Sequence, residues 1–182
     1  MAFRVLLLWL LAFPAFSAEV AGVKIPDEDQ KLQLNGAGLR KRVFFQVYVI
    51  GLYLPEKKAA AADAIGAAGA KRIAIHMLRD VGADTFVGAL SDAMRDNHSA
   101  ADYKALEPRI AQLGAILAEM KEAKKGMVIM LDLVPGGSTQ VSVNGKPAGG
   151  PIAGEDFYRA LLRIWLGDNP VQDDLKKALL GG

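Results

Sequence analysis

Arg40, Arg42 and Tyr48 lie close together in the stretch from Asn35 to Pro55, NGAGLRKRVFFQVYVIGLYLP. A guanidinium fork binds a carboxylate through two parallel N–H donors, and a phenol hydroxyl adds a third. With Phe44, Ile50 and Leu52 as apolar neighbours, such groups suit an amphipathic acid with one charged end and a long apolar body. The same residues also fit a surface arginine cluster at the start of a strand, with a tyrosine bonded to backbone.

The even positions from Arg40 to Leu54 share one side of an extended strand, and the odd positions share the other. Both sides are mainly apolar, which predicts a long strand over about Val43–Leu54, ended by Pro55, in the middle of a covered sheet. Gln46 and Tyr48 then sit on an otherwise buried face and need hydrogen-bond partners. Asn35–Gly38 reads as a glycine-rich turn before it. Eight residues of straight strand separate Arg40 from Tyr48 by about 26 Å. The two converge only where the chain turns near Lys41-Arg42 or curls sharply.

Other chemistries find little support. His76 and His98 are the two histidines, and neither belongs to an HxxxH or cysteine pattern, so no metal is expected. No serine sits in a GxSxG elbow. Gly36-Ala37-Gly38 lacks the third glycine of a dinucleotide fingerprint and leads into a strand, so no helix N-terminus follows to receive a phosphate. Asp80, Asp84, Asp92 and Asp96 read as a solvated acidic face, and Trp165 as a core aromatic. The formal net charge of +2 comes without a basic stripe interleaved with aromatics, which argues against nucleic acid as a partner. No cofactor is expected.

Residues 1–18 fit a secretory signal. Arg4 is the positive n-region, Val5–Phe13 the apolar core, Pro14 its break, and Ala15-Phe16-Ser17 the small-x-small site, with cleavage after Ser17 or Ala18. The apolar core is well short of the ~20 residues a spanning helix needs, so no stable membrane insertion is expected after cleavage. With no cysteine in the chain, stability rests on the core alone, and a bacterial periplasm is the expected address. Residues 19–182 then form one domain.

Short strands are expected at Val20–Pro26 and Leu32–Leu34, and a helix over Glu56–Ala70. A strand follows at Arg72–Leu78, with helices at Asp84–Met94 and from Ser99 to about Ala123. Ser99 and Asp102 form a capping box for the latter. Strands at Met127–Val134 and Thr139–Val143 precede Asn144-Gly145, a strong hairpin signal. Glu155–Leu166 reads as a helix ended by Gly167, with a short last helix after Pro170. Strands and helices in blocks make this an α+β domain.

Several segments, in this order and spacing, resemble the chalcone isomerase superfamily, in particular its bacterial, exported chalcone-isomerase-like branch. They are NGAGLR from Asn35 to Arg40, VYVIGLYL from Val47 to Leu54, LRDV from Leu78 to Val81, Lys125-Gly126 before a strand, and Gly154 to Gly167 with Pro170. The resemblance implies an open-faced β-sandwich: a large, mostly antiparallel sheet covered on one side by helices, with a ligand cleft between. The superfamily contains plant enzymes that close a chalcone to a flavanone, and fatty-acid-binding proteins without that activity.

Arg40 matches the enzymes' arginine. Their threonine on the long strand falls at Tyr48, their tyrosine and asparagine near Phe86 and Ala93, and a further polar position at about Ile164. Losing hydroxyl and amide donors removes the groups that would hold a water or stabilise an enolate. In the fatty-acid-binding branch an arginine and a tyrosine hold the carboxylate, which implies the pair Arg40 and Tyr48, with Arg42 as the alternative anchor. Phe44, Ile50 and Leu52 would be walls, joined by Phe86, Leu90, Leu113 and Leu117 from the covering helices. The expectation is a non-catalytic binder of a fatty acid or similar carboxylate. An isomerase or lyase acting on an enone or phenolic substrate, and a structural or partner-binding periplasmic domain, are the alternatives.

Overall fold

A computed structural model describes residues 17–182; the segment read as an export signal lies outside them except for Ser17 and Ala18. These two open β1 (Ser17–Val20), which pairs with β2 (Val23–Pro26). Ala21 and Gly22 both take positive φ and reverse the chain, so the strand expected over Val20–Pro26 is broken at its first residues.

The main sheet has seven antiparallel strands. In chain order they are β3 (Glu28–Asp29), β4 (Leu32–Arg42), β5 (Phe45–Leu54), β6 (Lys71–Met77), β9 (Val128–Val134), β10 (Ser138–Val143) and β11 (Lys146–Ala153). Their spatial order is β11-β10-β9-β6-β5-β4-β3. Between β6 and β9 come β7 (Val81–Gly82), α2 (Ala83–Asp96), α3 (Ala100–Ala118) and β8 (Glu122–Ala123), with β7 and β8 paired as a separate ladder. A short α1 (Ala61–Gly66) precedes β6, and α4 (Glu155–Leu166) and α5 (Asp173–Leu179) close the chain. The architecture is the α+β open-faced sandwich, with helices on one face of a curled antiparallel sheet.

The central strand has the two-sided burial its composition demands. On the helix side Ile50, Leu52 and Leu54 join a core with Ile73, Leu161 and Trp165. On the other side Val49 and Tyr53 pack with Ile25, Leu32 and Leu34, roofed by the β1–β2 hairpin. Each large side chain buried this way contributes roughly 1.5–3 kcal/mol. Gln46 differs from expectation: it is exposed at the start of β5, where it faces Lys41.

The glycine-rich stretch is not a turn. Asn35–Gly38 is strand, part of β4, and its glycines serve a close approach by α5. A Cβ on Gly36 would meet the backbone of Ala178 and Leu179, and one on Gly38 would meet the side chains of Leu175 and Ala178. The reversal comes later, at Val43-Phe44, where a two-residue tip joins Arg42 to its partner Phe45.

Two helices are shorter than their sequences suggest. The Glu56–Ala70 stretch yields only α1, and α3 stops at Ala118 because Glu122–Ala123 pairs with β7. At the start of α3, Ser99 Oγ accepts from the Asp102 N–H at 3.1 Å, as the capping pattern implies. Asn144 and Gly145 both take positive φ, the backbone a type I′ hairpin needs. Gly149-Gly150-Pro151 lies in the edge strand β11, and an edge is where a sheet tolerates proline. Among the described residues, no helix is long and apolar enough to cross a membrane.

Candidate ligand-binding site

Because the chain reverses at Val43-Phe44, Arg40 and Tyr48 are direct cross-strand partners on β4 and β5. Such partners have Cα atoms about 4.5–5.5 Å apart and side chains on the same face. The long separation of a straight strand is thereby removed. Between this pair and the next, Lys41 with Gln46, the register shifts and leaves Val47 unpaired. This bulge breaks the alternation, as bulges do, so the sequence neighbours Val47 and Tyr48 both line one cavity.

That cavity lies between the sheet and α2 and has a volume of about 420 Å³. Its mouth carries Arg40, Arg42 and Asp92, while Val47, Val81, Phe86, Leu90, Ile164 and Val171 make most of its wall. One polar end and an apolar body is the distribution that an amphipathic ligand needs.

Gln172, the residue before α5, holds the mouth in place. Its Oε1 accepts from Arg40 Nη1 at 3.2 Å and from the Lys41 N–H at 2.8 Å. Its Nε2 donates to the Leu39 carbonyl at 3.0 Å. One amide thus clamps the backbone on both sides of Arg40, and α5 itself is seated on Gly36 and Gly38. Arg40 Nη1 also donates to the Lys41 carbonyl at 2.7 Å. Among the described residues neither Arg40 nor Arg42 has a carboxylate partner. Asp92, at the rim, pairs with Arg95 at 3.1 Å.

Tyr48 is buried, and its hydroxyl oxygen accepts from Trp165 Nε1 at 3.0 Å. No acceptor for the phenol's own proton occurs among the described residues, which leaves the O–H available to a ligand. Burial raises the Tyr48 pKa, against the opposing pulls of the Trp165 hydrogen bond and the Arg40 charge. The group therefore stays a neutral donor across the physiological range.

The expected wall residues divide. Phe86 and Leu90 line the cavity with Arg40, Arg42 and Tyr48. Phe44 does not: it is 93 % exposed at the hairpin tip, because the reversal turns it away from both faces. Ile50 and Leu52 are fully buried in the core deeper along β5 and do not reach the cavity. Leu113 and Leu117 pack from α3 against α2, beside a residual void of about 10 Å³ shared with Leu90 and Met94. Trp165 and Gln172 are the two positioning residues that sequence reasoning missed. Trp165 reads as core because it falls in the apolar stripe of α4, and nothing local to Gln172 signals a contact with β4.

The positions near which the resemblance would place the enzymes' polar groups are apolar: Phe86 and Ile164 line the cavity, and Ala93 is buried in α2. No group of three or more His, Cys, Asp or Glu side chains able to hold a metal occurs among the described residues. Burial lowers the His76 pKa, and His98 Nδ1 lies 2.7 Å from the Met94 carbonyl.

The family model described as chalcone isomerase-like matches residues 17–181. Among solved structures, the chain is similar to a fatty-acid binding protein of Arabidopsis thaliana, with 15 % identity and a TM-score of 0.68 over 87 % of this chain and 92 % of that one. No curated protein sequence matches the chain.

Proposed function

The chain belongs to the chalcone isomerase-like family, and from that premise we propose that it binds a fatty acid or similar amphipathic carboxylate without transforming it. One observation carries the reading. Arg40, free of any carboxylate among the described residues, stands across from a Tyr48 hydroxyl whose oxygen is occupied by Trp165 and whose proton is free. Both open into a cavity with a mostly apolar wall. A carboxylate there takes charge-assisted hydrogen bonds from the guanidinium and one from the phenol, and the alkyl chain lies along Phe86, Leu90 and Ile164. The volume falls within the range of about 300–1,000 Å³ usual for small-molecule sites.

The absence of catalysis is inferred from the same wall. At the positions where the resemblance implies the enzymes' polar groups, Phe86 and Ile164 of this wall and the buried Ala93 of α2 offer no donor to hold a water or an enolate. Electrostatic stabilisation of that kind is usually the largest part of such catalysis. The signal pattern from Arg4 to Ser17 supports a periplasmic location, testable by cell fractionation.

Extraction of the purified protein followed by mass spectrometry, with calorimetric titration of a long-chain fatty acid, tests the reading. Co-purified or titrated fatty acid that is lost in Arg40→Ala supports it. Failure to bind any fatty acid, or turnover of chalcones at enzyme-like rates, overturns it.

A further inference from the structure

The β4–β5 hairpin ends in apolar side chains that nothing covers. Val43, Phe44 and Phe45 are 79 %, 93 % and 58 % exposed, the only large hydrophobic side chains so exposed among the described residues. The tip is also unfavourable as a turn. Val43 has φ of 56°, a left-handed conformation that a β-branched residue adopts only under constraint. Two-residue hairpin tips favour Asn-Gly, and this chain uses that pair at Asn144-Gly145. At Val43-Phe44 neither burial nor turn geometry accounts for the residues chosen. Strain and exposure in one place point to function.

The charges around the tip are of one dominant sign. Lys41 and Arg42 precede it, and the Arg79 guanidinium lies 4.4 Å from the centre of the Phe45 ring. Two loops are bound to the same end of the sheet: the Leu78 N–H donates to the Val47 carbonyl at 2.9 Å, and the Gly126 N–H to the Met77 carbonyl at 2.8 Å. They bring exposed Lys124 and Lys125 to that end. Asp80 is the acid nearest the cluster in sequence, and its Oδ1 already accepts from the Lys125 N–H at 2.7 Å.

A second hollow of about 440 Å³ shares Arg42, Val47, Val81 and Thr85 with the ligand cavity and ends at Val43 and Phe45. The ligand cavity and the tip are therefore neighbours on the same end of the sheet.

We propose that this hairpin tip docks on an anionic phospholipid surface. Val43, Phe44 and Phe45 enter the headgroup layer, while Lys41, Arg42, Arg79, Lys124 and Lys125 face the phosphates. Apolar tips rimmed by cations have the chemistry of interfacial membrane binders. A convex tip of three side chains is a small fraction of the roughly 800 Å² per partner in a stable protein interface, so a lipid surface fits it better. The inference concerns the tip and stands whatever the cavity holds.

Co-sedimentation of the protein with vesicles tests it, comparing phosphatidylcholine alone with equal parts phosphatidylglycerol and phosphatidylcholine. The wild type is expected to bind the anionic vesicles and to release as salt rises. The double variant Val43→Gly/Phe44→Asn places glycine at the one tip position with positive φ, so the hairpin persists, and its vesicle binding falls by about tenfold or more. Phe44→Ser serves as a second variant, with thermal melts confirming the fold of both. The proposal is overturned if the wild type ignores anionic vesicles, binds neutral ones equally well, or is matched by the folded variants. Tip-dependent self-association without vesicle binding would overturn it in favour of contact between copies. Fatty-acid titration of the same variants in vesicle-free buffer reads the cavity separately, so the two ideas fail independently.

Discussion

The indole Nε1–H of Trp165 donates to the hydroxyl oxygen of Tyr48 at 3.0 Å, between two buried side chains. This bond ties α4 to the central strand and also orients the phenol. With one lone pair of the oxygen engaged by the indole, the O–H is left to point elsewhere, and the cavity is beside it.

Tyr48→Phe is expected to act twice. It strands the buried indole N–H without an acceptor, which costs about 1–3 kcal/mol. It also removes one donor from the ligand carboxylate, lowering fatty-acid affinity by about tenfold. Urea unfolding reads the first effect and calorimetric titration the second. A double-mutant cycle with Trp165→Phe should give a coupling energy of roughly 0.5–3 kcal/mol. A Tyr48→Phe protein as stable and as tight-binding as the wild type would remove both roles.

Arg40→Ala is expected to separate binding from stability. The side chain is half-buried and the side-chain hydrogen bonds it makes are to Gln172 and the Lys41 carbonyl, so unfolding should change little. Hydrogen bonds to a charged group are worth about 1.5–3 kcal/mol, which predicts a loss of roughly 10- to 100-fold in fatty-acid affinity. Arg40→Lys keeps the charge without the fork and should recover only part of it. If Arg42→Ala loses more affinity than Arg40→Ala, the anchor is Arg42.

Much of this arrangement is legible in the sequence, and the parts that are not share a cause. The two-sided apolar pattern of Val47–Leu54 marks a covered central strand, and Asn144-Gly145 marks a hairpin, because both signals are local. The β4–β5 reversal is hidden because Val43-Phe44 has none of the usual turn residues, and the apolar run passes straight through it. Gly36 and Gly38 signal a turn when read locally, yet their reason lies far along the chain, in α5. The same holds for Gln172 and Trp165, whose partners are on β4 and β5. Strand parity puts Phe44 on the wall, and parity fails at a tip.

Gly36→Ala tests the seating of α5. The added methyl group would run into the backbone of Ala178 and Leu179, which cannot move aside as a flexible side chain does. A loss of about 2–4 kcal/mol is expected, at the upper end of single-site effects. Since Gln172 immediately precedes α5 and bonds Arg40, fatty-acid affinity should fall as well. Gly88→Ala on α2, where a Cβ meets nothing, is the control for stability and should be neutral or slightly stabilising. A Gly36→Ala protein with wild-type melting would show that α5 does not sit where described.

The buried tyrosines predict an alkaline limit to stability. Burial raises the pKa of Tyr48, of Tyr158 well above the ordinary phenol value, and of Tyr53 to about 12, where the Asp29 charge adds to burial. In the unfolded chain these phenols ionise near the usual value of about 10. Above that pH the unfolded state holds fewer protons than the folded state, so unfolding stability decreases as pH rises. Below it both states hold the protons, and the contribution is fully present. Urea midpoints should therefore be insensitive to these groups between about pH 7 and 9.5 and fall steeply above 10. Phenolate absorbance should rise with the loss of near-ultraviolet dichroism, not before it. Full ionisation of all four tyrosines near pH 10, with the native dichroism intact, would mean that Tyr48, Tyr53 and Tyr158 are open to water and that the buried hydrogen bond joining Tyr48 to Trp165 does not exist.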